Sequence, residues 1–217
     1  MSRKTIIISG GTLPEQAVLE ILKEHEGASI IGVDRGMEFL YRHGIKPDYL
    51  VGDFDSVSEE IADYYRNKTR IPIREFNPQK DVSDTEIAVR MAMTLGGKKI
   101  LILGATGGRL DHLWANIQTL KVAFQAGADA EIIDSQNRIR LIKDVFTLKK
   151  EDAFGKYFSV FPFGEAVYGV TIKGAKYNLD GKTLEFGNSL TVSNEIIGSE
   201  LSISSSSGIL IFMETKD

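Results

Sequence analysis

The stretch Lys99-Ile100-Leu101-Ile102-Leu103-Gly104-Ala105-Thr106-Gly107-Gly108-Arg109-Leu110-Asp111-His112 decides the fold. Four apolar residues after a lysine, stopped by a glycine, form the pattern of a strand buried on both faces of a parallel sheet. Beyond the glycine turn, Leu113, Ile117, Leu120 and Phe124 trace one helix face, closed by Gly127. A buried strand, a turn and a helix make up the repeating unit of an α/β sheet.

The same alternation runs outward from this unit. Lys4 to Ser9 is a β-branched run that stops at Gly10-Gly11. Val18, Ile21, Leu22 and His25 then fall on one helix face, with Pro14 suited to its first turn. Ser29–Val33, ending at Asp34, and Tyr49–Val51, ending at Gly52-Asp53, read as further strands. Met37, Leu40 and Tyr41 mark a helix between them, and Ile61, Tyr64, Tyr65 and Lys68 mark one after. Ile71 to Phe76 is expected as a strand that Pro72 confines to an edge. Ser83-Asp84-Thr85-Glu86 is a capping box ahead of Ile87, Met91 and Leu95. Ala130–Ile133 supplies one more strand.

Beyond about residue 138 the helical period disappears. Short strand-like runs at Tyr157–Phe161, Tyr168–Lys173, Leu190–Ser193, Leu201–Ser204 and Ile209–Met213 are separated by Gly, Asn, Asp or Ser. Asp180-Gly181 is a hairpin signal. The expected architecture is therefore an α/β domain over residues 1–138, Rossmann-like, its parallel sheet covered by helices on both faces. A small all-β sandwich over 139–217 follows it.

Composition removes several classes of function. The chain has no cysteine, so disulfides, thiolate metal sites and cysteine nucleophiles are excluded. Its formal charge of −4 argues against general nucleic-acid binding. The apolar run near the N-terminus is too short for a signal peptide or a membrane span, so a cytoplasmic protein without a membrane partner is expected.

Ligands of open parallel sheets bind beyond the carboxyl ends of the strands, and carboxylates gather there. Asp34 follows one strand, and Asp53 and Asp55 follow the next. Asp81 and Asp84 precede the capped helix, and Asp111 follows the glycine loop. Clustered carboxylates repel unless a cation intervenes. Magnesium, which takes oxygen ligands and bridges phosphates, is the natural candidate. In an extended segment Asp53 and Asp55 would point the same way, with Phe54 turned inward. A capped turn, with Ser56 and Glu59 as the box, is the plainer alternative for this pair. The glycine loop reads either as an anion cradle at a helix N-terminus, with Arg109 as a donor fork, or as a tight turn. Lys80 is either a phosphate partner or a surface lysine, and the histidines form no ligand set.

Taken together, these motifs resemble the thiamine pyrophosphokinase family. The resemblance runs through Val33-Asp34-Arg35-Gly36, Gly52-Asp53-Phe54-Asp55-Ser56, the segment from Gln79 to Glu86, the loop from Gly104 to His112, and the tail around Gly174–Leu179 and Ser193-Asn194-Glu195. It implies transfer of the terminal diphosphate of ATP to the hydroxyl of thiamine, giving thiamine diphosphate and AMP. It implies an α/β nucleotide domain followed by a β-sandwich that binds thiamine, and a homodimer with its sites at the subunit interface. On the matching positions it places magnesium at Asp53, Asp55 and Asp84, with Asp81 also catalytic. Asp34, Gln79, Lys80, Thr106, Gly107, Arg109 and Asp111 surround the nucleotide, and Ser193 and Asn194 match the thiamine region. A metal-dependent nucleotide or diphosphate hydrolase and a non-catalytic nucleotide or thiamine diphosphate sensor are the rival readings.

Overall fold

The computed structural model describes residues 3–74 and 82–217. The chain divides into two compact units, residues 1–135 and 136–217.

The first unit alternates strand and helix: β1 (Arg3–Ile8), α1 (Glu15–Glu24), β2 (Ser29–Val33), α2 (Gly36–Arg42), β3 (Tyr49–Val51), α3 (Glu59–Asn67), β4 (Ile73–Arg74), α4 (Asp84–Thr94), β5 (Gly97–Leu103), α5 (Leu110–Gln125) and β6 (Asp129–Ile133). The strands lie side by side as β6-β5-β1-β2-β3-β4. Every pairing among them is parallel. Ile6, Ile7 and Ile8 are all buried, so β1 is apolar on both sides, as a central parallel strand must be. α2 covers one face, with Leu40 and Met37 packed over Gly32. α4 covers the other, tied to the end of β1 by a buried 2.7 Å hydrogen bond between the Ser9 and Thr85 hydroxyls.

Local chemistry sets the helix ends. Ser83 Oγ accepts from the Glu86 backbone N–H at 3.2 Å, the capping contact expected of the box. The Glu86 carboxylate pairs with Arg90 rather than closing the box. α3 starts from Ser58, which makes no side-chain cap, and not from a Ser56 box. Tyr41, Tyr64 and Tyr65 meet edge to face beside this helix. Burial pushes the Tyr65 phenol up to about 12, and its hydroxyl donates to the Met37 carbonyl.

The second unit is a sandwich of two antiparallel sheets. It contains β7 (Asn137–Ile142), β8 (Val145–Lys149), β9 (Tyr157–Pro162), β10 (Val167–Lys173), β11 (Leu179–Leu184), β12 (Asn194–Glu195), β13 (Glu200–Ser204) and β14 (Leu210–Thr215). One layer runs β12-β9-β14-β7 and the other β11-β10-β13-β8. Val160, Phe212 and Leu210 from the first layer share a core with Val170, Ile172 and Leu201 from the second.

Two sequence expectations fail here. Asp180-Gly181 is not a hairpin turn. It lies within β11, where the register against β10 shifts and Gly181 takes a φ of 58°. The glycine serves a bulge, not a turn. Leu190–Ser193 is not a strand. Leu190 N donates to Asn188 Oδ1, Val192 N to the Ser189 carbonyl, and Ser193 adopts a left-handed φ of 56°. These local bonds wind the segment into turns, and pairing begins only at Asn194.

Candidate active site

Strand order reverses direction between β1 and β5: from β1 the chain builds outward one way to β4, then returns to place β5 and β6 on the other side. Such a switch point opens a crevice between the two loops that leave the strands. Here those loops are Ser9–Thr12 and Gly104–Gly108, and they line a cleft of about 770 Å³. Backbone bonds knit them together. Gly11 N donates to the Gly104 carbonyl at 2.7 Å, and Thr12 N to the Thr106 carbonyl at 3.0 Å. A Cβ on Gly11 would lie 2.4 Å from the Gly104 oxygen, so only glycine permits this approach. Gly11→Ala is expected to separate the loops and cost about 1–3 kcal/mol in chemical denaturation.

Side chains that the sequence did not nominate fix the glycine loop. Asn116 Nδ2, buried on α5, donates to the Ala105 carbonyl at 2.9 Å. Thr106 Oγ1 donates to Asp134 Oδ2 at 2.6 Å. With its proton committed there, the Thr106 hydroxyl offers the cleft lone pairs. Asn116 and Asp134 had no legible signal, because each meets the loop only after the chain has folded back.

The carboxylates reach the cleft from separate elements. Asp34 directly follows β2, in a left-handed conformation, φ 47°. It packs against Gly52, whose Cβ would sit 2.5 Å from Asp34 Oδ1. Asp53 and Asp55 follow β3, and Asp84 opens α4; all line the cleft with Asp34. Phe54 is buried as expected, with the Arg66 guanidinium 4.6 Å from its ring centroid. The segment is not extended, however. Phe54 has a φ of 66°, and the resulting turn lets Asp55 N donate to Asp53 Oδ1 at 3.1 Å. A side-chain hydrogen bond with Asp53 raises the Asp55 carboxyl above the ordinary aspartate value. Burial and the negative charges of Asp53 and Asp84 add to the rise.

Thr106, Gly107, Arg109 and Asp111 line the same cleft at the N-terminus of α5. The Arg109 fork is engaged by Asp111, Nε to Oδ1 at 3.1 Å and Nη2 to Oδ2 at 2.5 Å. That hydrogen-bonded pair holds the Asp111 carboxyl below its usual range and the Arg109 guanidinium above its own. Both groups are exposed, so solvent screens the pair and an entering phosphate can compete for the fork. Gln79, Lys80 and Asp81 lie outside the described residues.

Among the described residues, no three His, Asp or Glu side chains stand close enough to hold an ion by themselves. Magnesium does not require that, since it is usually held by one or two carboxylates with waters and substrate phosphates. All-oxygen donors, crowded enough to raise Asp55, have the chemistry of such a site.

Ser193 and Asn194 belong to the second unit. The Asn194 side chain is buried, accepting from the Tyr177 and Glu195 backbone N–H groups and donating to the Tyr177 carbonyl. It fixes the loop that presents the exposed Tyr177 ring. Ser193 N donates to Ser159 Oγ at 3.1 Å.

Comparison with known proteins agrees with this organisation. Residues 22–132 match the family model "Thiamin pyrophosphokinase, catalytic domain", and residues 145–210 match "Thiamin pyrophosphokinase, vitamin B1 binding domain". Thiamine pyrophosphokinase of Bacillus subtilis is 33% identical over 216 residues, 99% of this chain and 100% of that protein. Its crystal structure superimposes with a TM-score of 0.88 at 30% identity, covering 99% and 100% of the two chains. The enzyme from Geobacillus thermodenitrificans gives 0.84 at 33% identity, covering 99% and 98%. The yeast enzyme, at 18% identity and a TM-score of 0.82, shares the fold over 99% of this chain and 86% of its own. The chain belongs to the thiamin pyrophosphokinase family, its catalytic domain preceding its vitamin B1 binding domain.

Proposed function

We propose that this thiamine diphosphokinase works through a magnesium ion held at Asp53, Asp55 and Asp84 once substrate phosphates and waters complete its shell, with ATP as donor and thiamine as acceptor. The observation that carries the reading is the convergence of carboxylates from β2, β3 and α4 on a switch-point cleft that also receives the N-terminus of α5. Bound there, magnesium would screen phosphate charge and polarise the transferred group.

The chain's own groups do the positioning. The thiamine hydroxyl oxygen forms a bond to the β-phosphorus, the bond to the α,β-bridging oxygen breaks, and its electron pair leaves on AMP. Such a transfer asks for alignment and charge stabilisation more than covalent help. Arg109 and Lys80 spread the phosphate charge. Asp34, Gln79 and Asp111 frame the nucleotide, and backbone N–H groups around Thr106 and Gly107 approach it at the positive end of α5. Asp81 or Asp84 takes the hydroxyl proton. Ser193 and Asn194 shape the thiamine side in the β unit of residues 139–217, while residues 1–138 carry the nucleotide.

A homodimer and a cytoplasmic location complete the reading. Exposed apolar side chains support the dimer: Leu110 and Trp114 on α5, and Phe186, Leu190 and Ile197 in the second unit. Sedimentation at micromolar concentration should give twice the chain mass. Among the described residues, no helix is long and apolar enough to cross a membrane.

Incubation with ATP, magnesium and thiamine should release AMP in step with thiamine diphosphate, and chelation of the metal should stop both. AMP released equally without thiamine would point to a hydrolase. Binding without any AMP would point to a sensor.

A further inference from the structure

A second cavity, of about 340 Å³, adjoins the cleft and shares Gly10, Gly11 and Arg35 with it. Arg35 stands at the junction, between the end of β2 and the start of α2, and is exposed. Its Cβ packs close to Gly10, where a side chain would come within 3.5 Å. Among the described residues, its guanidinium makes no hydrogen bond or ion pair. That sets it apart from its neighbours: Arg109 is engaged by Asp111, and Arg42 by Glu38 at 3.0 Å. The second cavity is lined by the Phe39 and His43 rings, centroids 4.4 Å apart, and by Leu13, beside the charged Glu15, Glu38 and Arg42.

We propose that Arg35 is a specificity-determining residue that grips the α-phosphate of the nucleotide donor, the phosphate that leaves in AMP, while the nucleoside enters the second cavity. The inference rests on the diphosphate transfer proposed above. Five carboxylates line the cleft, Asp34, Asp53, Asp55, Asp84 and Asp111, against the guanidiniums of Arg35 and Arg109. Such a surface repels a polyphosphate unless cations meet it at both ends. At the carboxylates a divalent ion would serve the transferred diphosphate. Arg35, at the junction with the second cavity, offers an uncommitted planar fork, the geometry that pairs with two phosphate oxygens. When the bond from the β-phosphorus to the bridging oxygen breaks, the electron pair stays on the oxygen carried off by AMP. A guanidinium on that phosphate steadies the charge it gains.

Calorimetric titration of AMP, with magnesium and without thiamine, tests the contact directly. Arg35→Ala is expected to weaken AMP binding about 10- to 100-fold, raise the KM for ATP by a similar factor, and leave the KM for thiamine within about twofold. Arg35→Lys, which keeps the charge but loses the fork, should fall between the two. Because Arg35 is exposed and unpaired, the melting temperature of either variant should match the wild type. AMP binding within twofold of wild type in Arg35→Ala would overturn the proposal, as would an equal rise in the thiamine KM. Failure of the transfer reading would show instead in the wild type, as AMP formation that ignores thiamine.

Discussion

Asp53→Asn is expected to lower turnover of ATP and thiamine by about 10²-fold or more, with the melting temperature close to wild type. The same is expected of Asp55→Asn. Both side chains face a solvent-filled cleft, so neither substitution removes a core contact. Each removes negative charge from a cluster crowded enough to raise the Asp55 carboxyl, which relieves repulsion in the protein without substrate. What is lost is the ability to hold a divalent ion against phosphate. Higher magnesium should recover part of the rate in either variant. Steady-state assays across a magnesium series, beside thermal melts, check the prediction, and near-normal turnover at ordinary magnesium would count against the metal assignment.

Glu214→Ala should have the largest effect on stability, about 3–5 kcal/mol by chemical denaturation. Glu214 is 1% exposed on β14. Its carboxylate accepts from Arg140 Nη2 at 2.7 Å and from the Phe154 backbone N–H at 2.8 Å, with Arg138 at 4.0 Å. Truncation removes a buried carboxylate from beside two half-buried guanidiniums that pack against Phe146, Phe154 and Phe212. A denaturation midpoint unchanged from wild type would show that water reaches these groups easily.

That cluster explains where sequence reading stopped. Asn137-Arg138-Ile139-Arg140-Leu141-Ile142 carries two arginines and looks like surface, so neither β7 nor the β8 that follows it is legible in the sequence. Its arginines are met in the sandwich by Glu214, which β14, far along the chain, returns opposite Arg138. The first unit was far more legible. Ser29–Val33 and Tyr49–Val51 appear at the bounds expected, because parallel strands declare themselves as apolar runs closed by glycine or aspartate. At the site, Asp34, Asp53, Asp55, Asp84 and Arg109 could be named because charged residues at strand ends stand out. The left-handed turn at Phe54 could not, since an aromatic residue gives no local warning of positive φ. Asn116, Asp134 and the Ser9–Thr85 bond belong to the same class, visible only as pairs.

The backbone rungs joining Gly11 to Gly104 and Thr12 to Thr106 carry an evolutionary consequence. An insertion or deletion in either segment would drag the other out of alignment. Length variation at these two places, though widely spaced along the gene, should therefore arise only as matched changes, and a chimera taking one of them from a homologue of different length should be inactive unless it takes both.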